Sequence, residues 1–472
     1  MSRKQNASGM MRKVICCAIS VNLAIMLYHP VPRTAWAAEG KARPNIIFFL
    51  ADDMRWDAMG CAGNRIIQTP HLDRLAERGV RFTNGFVTTS ICAVSRASLL
   101  TGQYESRHQI HDFVTSLSPT AFAGTFPALL RQSGYRTGFV GKWGVGMDKP
   151  VPQDRFDYWA GWNDWGMYFE KGDPEHRTQK TRKQALSFIR QFAAQEPFML
   201  WVSFKAPHSQ DHHPKQFLPE PRLDDLYKGV TIPVPKTANQ ESFEKMPPFV
   251  QTSENRLRWL LRFTTPQMFQ ESVKNYYRLI SGIDYTVGEV LGLIDELKIS
   301  ENTVVIFSSD NGFFLGEHGM AGKWLMHEES IRIPLVIYDP KLPKARCGRL
   351  ADQMVLNLDV APTILDIAGV AIPEVMQGRS LKPLMLGPAS EWRKEWFYEH
   401  SHRHPWPIYG SQGVRTERWK YIRYLDTEPL YEELFDLKND PLEEHNLASD
   451  KQHVKVLNKM RQRFEAMRES AK

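Results

Sequence analysis

Four short apolar runs constrain this chain more than any other feature. Asn45-Ile46-Ile47-Phe48-Phe49-Leu50 stops at Asp52-Asp53, and Thr137-Gly138-Phe139-Val140 stops at Gly141-Lys142. Residues 198–204 stop at Lys205 and His208, and residues 303–307 stop at Asp310-Asn311. Continuous β-branched and aromatic runs of this length predict strands buried on both faces. Helical patterns lie between them. Thr69-Pro70 opens one that Gly79 closes, and Thr125 opens one that stops at Gly134. Residues 178–194 and 268–297 read as longer amphipathic helices. Strands alternating with helices imply an α/β fold, a large and mainly parallel sheet sandwiched by helices. Such sheets bind ligands at the carboxyl ends of their strands. Four separate segments are therefore expected to bring polar residues to one site.

Residues 209–265 are rich in proline and charge and carry little periodicity, which predicts a long surface excursion at the rim of that site. Beyond residue 388, short aromatic runs at 395–398, 413–415 and 420–424 precede a polar helix from about Asp450. They predict a small C-terminal antiparallel sheet plus helix. The expected division is a signal peptide over 1–37, an α/β domain over 38–387 and a C-terminal subdomain over 388–472.

The signal reading rests on Arg3, Lys4, Arg12 and Lys13, the apolar run 14–27 and the small residues of Ala35-Trp36-Ala37. It predicts export to a periplasmic or extracellular location, with no stable membrane span after removal. Removal takes away five basic residues and no acidic ones, so the formal charge falls from +7 to +2. No argument for nucleic-acid binding survives that change. Cys61, Cys92 and Cys347 remain, and an odd number in an exported chain leaves at least one unpaired or modified.

Asp52 and Asp53, with Asp310 and Asn311, offer oxygen ligands from two strand ends. Either pair alone reads equally as capping and turn chemistry. Two such pairs at equivalent strand ends point to a hard cation, Ca²⁺ or Mg²⁺. Cys92 precedes a predicted helix that begins near Ser95. A helix N-terminus and Arg96 would lower its thiol pKa and make it a nucleophile, whereas a buried inert cysteine is the plainer alternative.

The run Cys92-Ala93-Val94-Ser95-Arg96 followed by Leu100-Thr101-Gly102 resembles the signature of type I sulfatases, members of the alkaline phosphatase superfamily. The family pattern also contains Asp52-Asp53, Gly141-Lys142-Trp143, Ala206-Pro207-His208, Asp310-Asn311-Gly312 and Lys323 with Glu328, all in family order. It extends to 433–437 and Asp440-Pro441. The resemblance implies an alkaline-phosphatase-like domain and an enzyme hydrolysing a sulfate ester, with a sulfated carbohydrate as the expected substrate. It implies Ca²⁺ held by Asp52, Asp53, residue 92, Asp310 and Asn311. It also implies that a formylglycine-generating enzyme converts Cys92 to formylglycine, whose hydrate attacks sulfur. Arg96, Lys142, His208 and Lys323 would neutralise the sulfate oxygens, with His208 or Lys323 as acid for the leaving alcohol.

The chain departs from the family at Val94, where proline or alanine is usual, and at Gly144, where a histidine follows Gly-Lys-Trp. His318, His108 and His111 are candidates for that histidine's place. His400, His402 and His404 alternate and are expected on a substrate-facing rim, with a zinc site as a lesser alternative. Trp159, Trp162, Trp165 and Tyr168 suit a sugar ring or a core cluster. Residues 256–262 carry three arginines and read as a solvated helix face or a contact for an anionic polymer. Two other functions stay open from sequence: a phosphonate monoester or phosphodiester hydrolase, and a non-catalytic binder of sulfated glycans.

Overall fold

The computed structural model describes residues 43–147, 149–164, 166–195, 197–389, 391–401 and 407–472. The predicted signal, Trp165, His402 and His404 lie outside the described residues. In chain order the strands are β1 (Asn45–Asp52), β2 (Val80–Phe86), β3 (Arg136–Lys142), β4 (Tyr158–Trp162), β5 (Phe198–Pro207) and β6 (Thr303–Ser309). They continue with β7 (Phe314–Leu315), β8 (Ala321–Gly322), β9 (Arg332–Tyr338), β10 (Arg349–Leu356), β11 (Glu395–His400), β12 (Ser411–Thr416), β13 (Trp419–Tyr424) and β14 (Tyr431–Asp436).

Eight strands form one sheet in the order β10-β2-β9-β6-β1-β5-β3-β4. Strand β9 runs antiparallel to both its neighbours, and every other pairing is parallel. The sheet is thus mainly parallel, as its apolar runs predict. β1 sits at its centre with all eight residues buried. Its side chains alternate between faces. Ile47, Phe49 and Ala51 join a core with the helices Arg177–Phe192 and Pro266–Glu296, while Ile46, Phe48 and Leu50 face the opposite core. A sheet covered on both faces needs apolar residues at every position, which is why the run in β1 is unbroken.

The predicted helices fall at Pro70–Arg78, Phe126–Gln132, Arg177–Phe192, Pro266–Glu296 and Val454–Ala471. The Thr265 side chain accepts the Met268 N–H and Pro266 follows, which fixes the start of the longest one. The sequence reading under-counts strands. It omits β2, whose alternating burial breaks the apolar run, and β9, which contains Pro334. Within the surface excursion expected over 209–265, short helices occupy Gln240–Glu244, Pro248–Gln251 and Glu254–Arg262, the last in agreement with the helix face expected over 256–262.

The C-terminal strands form a separate antiparallel sheet, β11-β12-β13-β14, with the helix Val454–Ala471 packed on it. That sheet shares a core with the large domain: Trp396, Tyr421 and Phe435 pack in one cluster with Phe86, Ile331 and Leu356. The shared core makes the described residues from 43 to 472 one compact unit. Among the described residues, no helix is long and apolar enough to cross a membrane.

Candidate active site

The strand ends converge as expected. Asp52 ends β1, Lys142 ends β3, His208 lies one residue past β5, and Asp310-Asn311 follow β6. Pairing of β1 with β5 shifts register between Leu50 and Asp52. Such irregularities re-aim side chains next to sites. Asp53 then adopts φ 68°, a left-handed conformation costly for a residue with a Cβ. It is held there by Asp310 Oδ1, which accepts the Asp53 N–H at 3.1 Å, and by the Tyr276 hydroxyl, which donates to Asp53 O at 2.7 Å.

Cys92 is the first residue of the buried helix Cys92–Thr101, three residues earlier than the predicted start. Its sulfur lies 3.2 Å from Asp52 Oδ1 and 2.6 Å from Lys323 Nζ. Lys323 Nζ also bonds Asp53 Oδ1, Lys142 Nζ bonds Asp52 Oδ2, and His208 Nε2 is 3.6 Å from Asp53 Oδ2. Arg96, with no solvent exposure, places Nε and Nη2 at 2.9 and 2.8 Å from Asp310 Oδ2. Its Nη1 donates to Lys142 O at 2.9 Å and Ser203 Oγ at 2.5 Å. Ser203 and Tyr276 are not among the site residues expected from the sequence. Neither belongs to a polar pair at a strand end, so no local signal marks them.

The donors suit a metal ion. One ligand atom each from Asp52, Asp53, Cys92 and His208 lies within 4.8 Å of the others. Asn311 donates its Nδ2 to Asp53 Oδ1 at 2.5 Å, while its Oδ1 is buried with no hydrogen-bond partner. A buried amide oxygen without a partner is costly, and a hard cation would satisfy it. Three carboxylates, Asp52, Asp53 and Asp310, face three cations, Arg96, Lys142 and Lys323. A divalent ion added to that balanced set leaves an excess of positive charge, which favours an anionic ester.

Burial disfavours the Asp52 carboxylate, but Lys142, His208, Arg96 and Lys323 outweigh it and hold its pKa well below the usual range. Asp310 is pushed up to about 6 by burial and by the charge of Asp52. Burial draws His208 down to about 4, against the pull of Asp53 and Asp52. The thiol of Cys92 contradicts the first sequence reading. Burial and then Asp52 push its pKa up, so the helix N-terminus and Arg96 do not yield a thiolate.

The histidines considered for the place of Gly144 lie elsewhere. His108 Nε2 pairs with Ser98 Oγ at 3.1 Å, its Nδ1 accepts the Ile110 N–H, and burial holds its pKa at about 3. His111 Nδ1 pairs with Glu105 Oε1 at 2.9 Å. His318 packs on His327 with ring centroids 5.5 Å apart, and His327 in turn packs on Phe435 of β14 at 5.8 Å. His400 is buried at the end of β11. Gly144 itself has φ 76°, and a Cβ there would lie 2.9 Å from Arg96 Cδ. Its backbone therefore has no room for a histidine while Arg96 keeps its place. Val94 is buried with Ile91, Trp324 and Ile408 beside Cys92. Two of the aromatic group, Trp159 and Tyr168, are packed into the structure. Trp159 stacks on Phe139 at 4.9 Å, and fully buried Tyr168 stacks on His176 and donates to His208 O at 2.7 Å.

The profile of the family described as Sulfatase matches residues 44–370, more than half of the chain. A second profile, N-sulphoglucosamine sulphohydrolase, C-terminal, matches residues 316–470. An N-acetylglucosamine-6-O-sulfatase of Bacteroides thetaiotaomicron is 29% identical over 498 residues, covering 90% of this chain and 86% of that protein. An arylsulfatase of Clostridium perfringens is 27% identical, covering 89% and 93%. A protein solved with its substrate D-glucosamine-2-N,6-O-disulfate superposes with TM-score 0.77 at 27% identity, over 91% of this chain and 98% of that one.

Proposed function

The chain belongs to the sulfatase family and is a sulfuric ester hydrolase, and from that premise we propose that it releases sulfate from a sulfated carbohydrate at a centre built on Cys92. The observation that carries the reading is the convergence at that residue. Its sulfur touches Asp52 and Lys323, inside a set of ligand atoms no more than 4.8 Å apart. The sugar class is supported by a relative named N-acetylglucosamine-6-O-sulfatase and by the neighbour solved with a disulfated glucosamine.

Asp52, Asp53, Asp310 and Asn311 would hold a divalent cation together with residue 92. Their oxygens suit Ca²⁺ or Mg²⁺, and we assign Ca²⁺ on the family resemblance. A cation held there would supply Lewis acidity toward a sulfate oxygen, and formylglycine at position 92 would supply the oxygen nucleophile that a buried protonated thiol is not. Lys142 and Lys323 present ammonium groups to the same centre, and Arg96 fixes Asp310 while adding a third positive charge. These groups are poised before reaction, so they stabilise charge moving onto sulfate oxygens without rearranging. His208 and Lys323 both reach the Asp53 carboxylate, and we assign the leaving-alcohol proton to one of this pair.

Maturation by a formylglycine-generating enzyme and export directed by residues 1–37 are part of this proposal, as is a boundary near residue 388 between the α/β domain and the C-terminal sheet. The test is release of inorganic sulfate from glucosamine 6-sulfates, run beside a matched phosphonate monoester. Sulfate release faster than phosphonate hydrolysis is expected. Faster phosphonate hydrolysis, or glycan binding without turnover, would overturn the reading.

A further inference from the structure

The helix Glu254–Arg262 is packed inside out. Leu257, Leu260 and Leu261 are 46, 46 and 59% exposed, while the side chains of Arg258 and Arg262 are only 16 and 1% exposed. Burying guanidinium groups while exposing leucines is costly, so the arginines must be doing something that leucine could not.

Their partners are the two loops that carry His208 and Lys323. Arg262 Nη2 donates to Ser209 Oγ and Asp211 Oδ1, both at 2.8 Å, immediately after His208. Arg258 Nη1 pairs with Asp211 Oδ2 at 2.9 Å, and its guanidinium lies 4.8 Å from the Trp324 ring centroid. Asn255, itself buried, donates Nδ2 to Lys323 O at 2.7 Å and to Ala321 O at 3.1 Å. One short helix is thus bonded along one edge to the His208 loop and along the other to the Lys323 loop.

Each loop has one other anchor beside these residues, the Tyr168 hydroxyl on His208 O and the Tyr398 hydroxyl on Trp324 O, both at 2.7 Å. His208 follows the last residue of β5, and Lys323 follows the two-residue strand β8. Trp324, next to Lys323, has φ 80°, a conformation that persists only where its surroundings impose it. Yet both side chains must reach opposite oxygens of one carboxylate, Asp53.

We propose that the helix Glu254–Arg262 is a brace that sets the spacing of His208 and Lys323, with Asn255, Arg258 and Arg262 as positioning residues for proton delivery to the leaving alcohol. The inference rests on the sulfatase reading above. Paired and hydrogen-bonded charges suit this task because they fix geometry in a way apolar contacts do not.

The test uses the full mature protein with two substrates, an aryl sulfate with an acidic leaving phenol and a sugar sulfate with a poor leaving alcohol. Asn255→Ala and Arg258→Met should lower kcat on the sugar sulfate by about 10- to 100-fold, with KM changed less than about 3-fold. The loss on the aryl sulfate should be several-fold smaller, because a good leaving group needs less proton assistance. Arg258→Lys should recover most of the rate, and Leu261→Ser on the outer face should match wild type. Melting temperatures recorded alongside separate misfolding from mispositioning. Equal losses on both substrates, losses that follow melting temperature alone, or wild-type kinetics in both variants would overturn the brace. A wild-type protein that releases no sulfate would overturn the sulfatase reading and the brace together, whereas an active wild type with unaffected variants overturns the brace alone.

Discussion

Two of the regions where buried charge gathers, the junction with the C-terminal sheet and the strand ends, differ in how that charge is partnered. At the junction with the C-terminal sheet, Lys420 pairs with Glu328 at 2.9 Å and Glu443 at 2.6 Å, and Arg415 reaches Glu328 at 3.2 Å. The Lys420 and Glu443 side chains have no exposure. At the strand ends, Asp52, Asp53 and Asp310 face Arg96, Lys142 and Lys323, but Lys142 and His208 keep 14 and 18% of their side chains open. Only there, among the described residues, do ligand atoms of three or more acidic, cysteine or histidine side chains converge within metal-binding range. Density of buried charge therefore does not distinguish a site from a structural latch. Convergence on one reachable point does.

Substitutions should separate the two regions, and the largest effect belongs to the strand ends. Cys92→Ala should lower sulfate release by about 10⁴-fold or more while leaving the melting temperature near wild type. A variant that keeps a tenth of the activity would remove Cys92 from the chemistry. At the junction the pattern should reverse. Lys420→Met leaves the buried Glu443 carboxylate without its cation and Glu328 with Arg415 in place of two partners, and should cost about 3–5 kcal/mol in stability, with kcat of the folded fraction within a few-fold of wild type. A denaturant titration beside an activity assay checks both halves.

Tyr276→Phe probes the support of the metal ligands, since its hydroxyl holds Asp53 in the left-handed conformation. It should weaken divalent-cation affinity about 10-fold, measured by calorimetry. Unchanged affinity would mean that Asp53 is held without it.

The smallest expected effect is a pH slope in the C-terminal sheet. Burial raises the Glu433 pKa to about 8, and its protonated form is the stable one in the fold. A group raised in the folded state contributes stability that is fully present below its unfolded pKa, near 4.5, and is lost as pH rises toward 8. Glu433→Gln should therefore raise the melting temperature at pH 8 by about 2–4 °C and change it little at pH 4. An equal shift at both pH values would mean that the residue does not titrate in this window.

The strand ends were legible in the sequence because an apolar run that stops at an acid carries both a burial pattern and a chemical group. Asp52, Asp53, Asp310 and Asn311 are all found that way, and Cys92 by its place in a family signature. The brace helix was hidden for the opposite reason. Its arginines point inward and its leucines outward, so the usual rule of polar faces outward misplaces residues 256–262. Gly144 was legible as a departure but not as a cause, since only the packing of Arg96 shows why no side chain stands there. Contacts such as Ser203 with Arg96 join residues 107 positions apart and leave no local trace.

The most direct test of the account is mass spectrometry of the peptide carrying Cys92, from protein made in its own host, with sulfate release measured on the same sample. The account predicts an aldehyde in place of the thiol, and activity that scales with the modified fraction across preparations. Full sulfatase activity from protein whose Cys92 is entirely an unmodified thiol would contradict it.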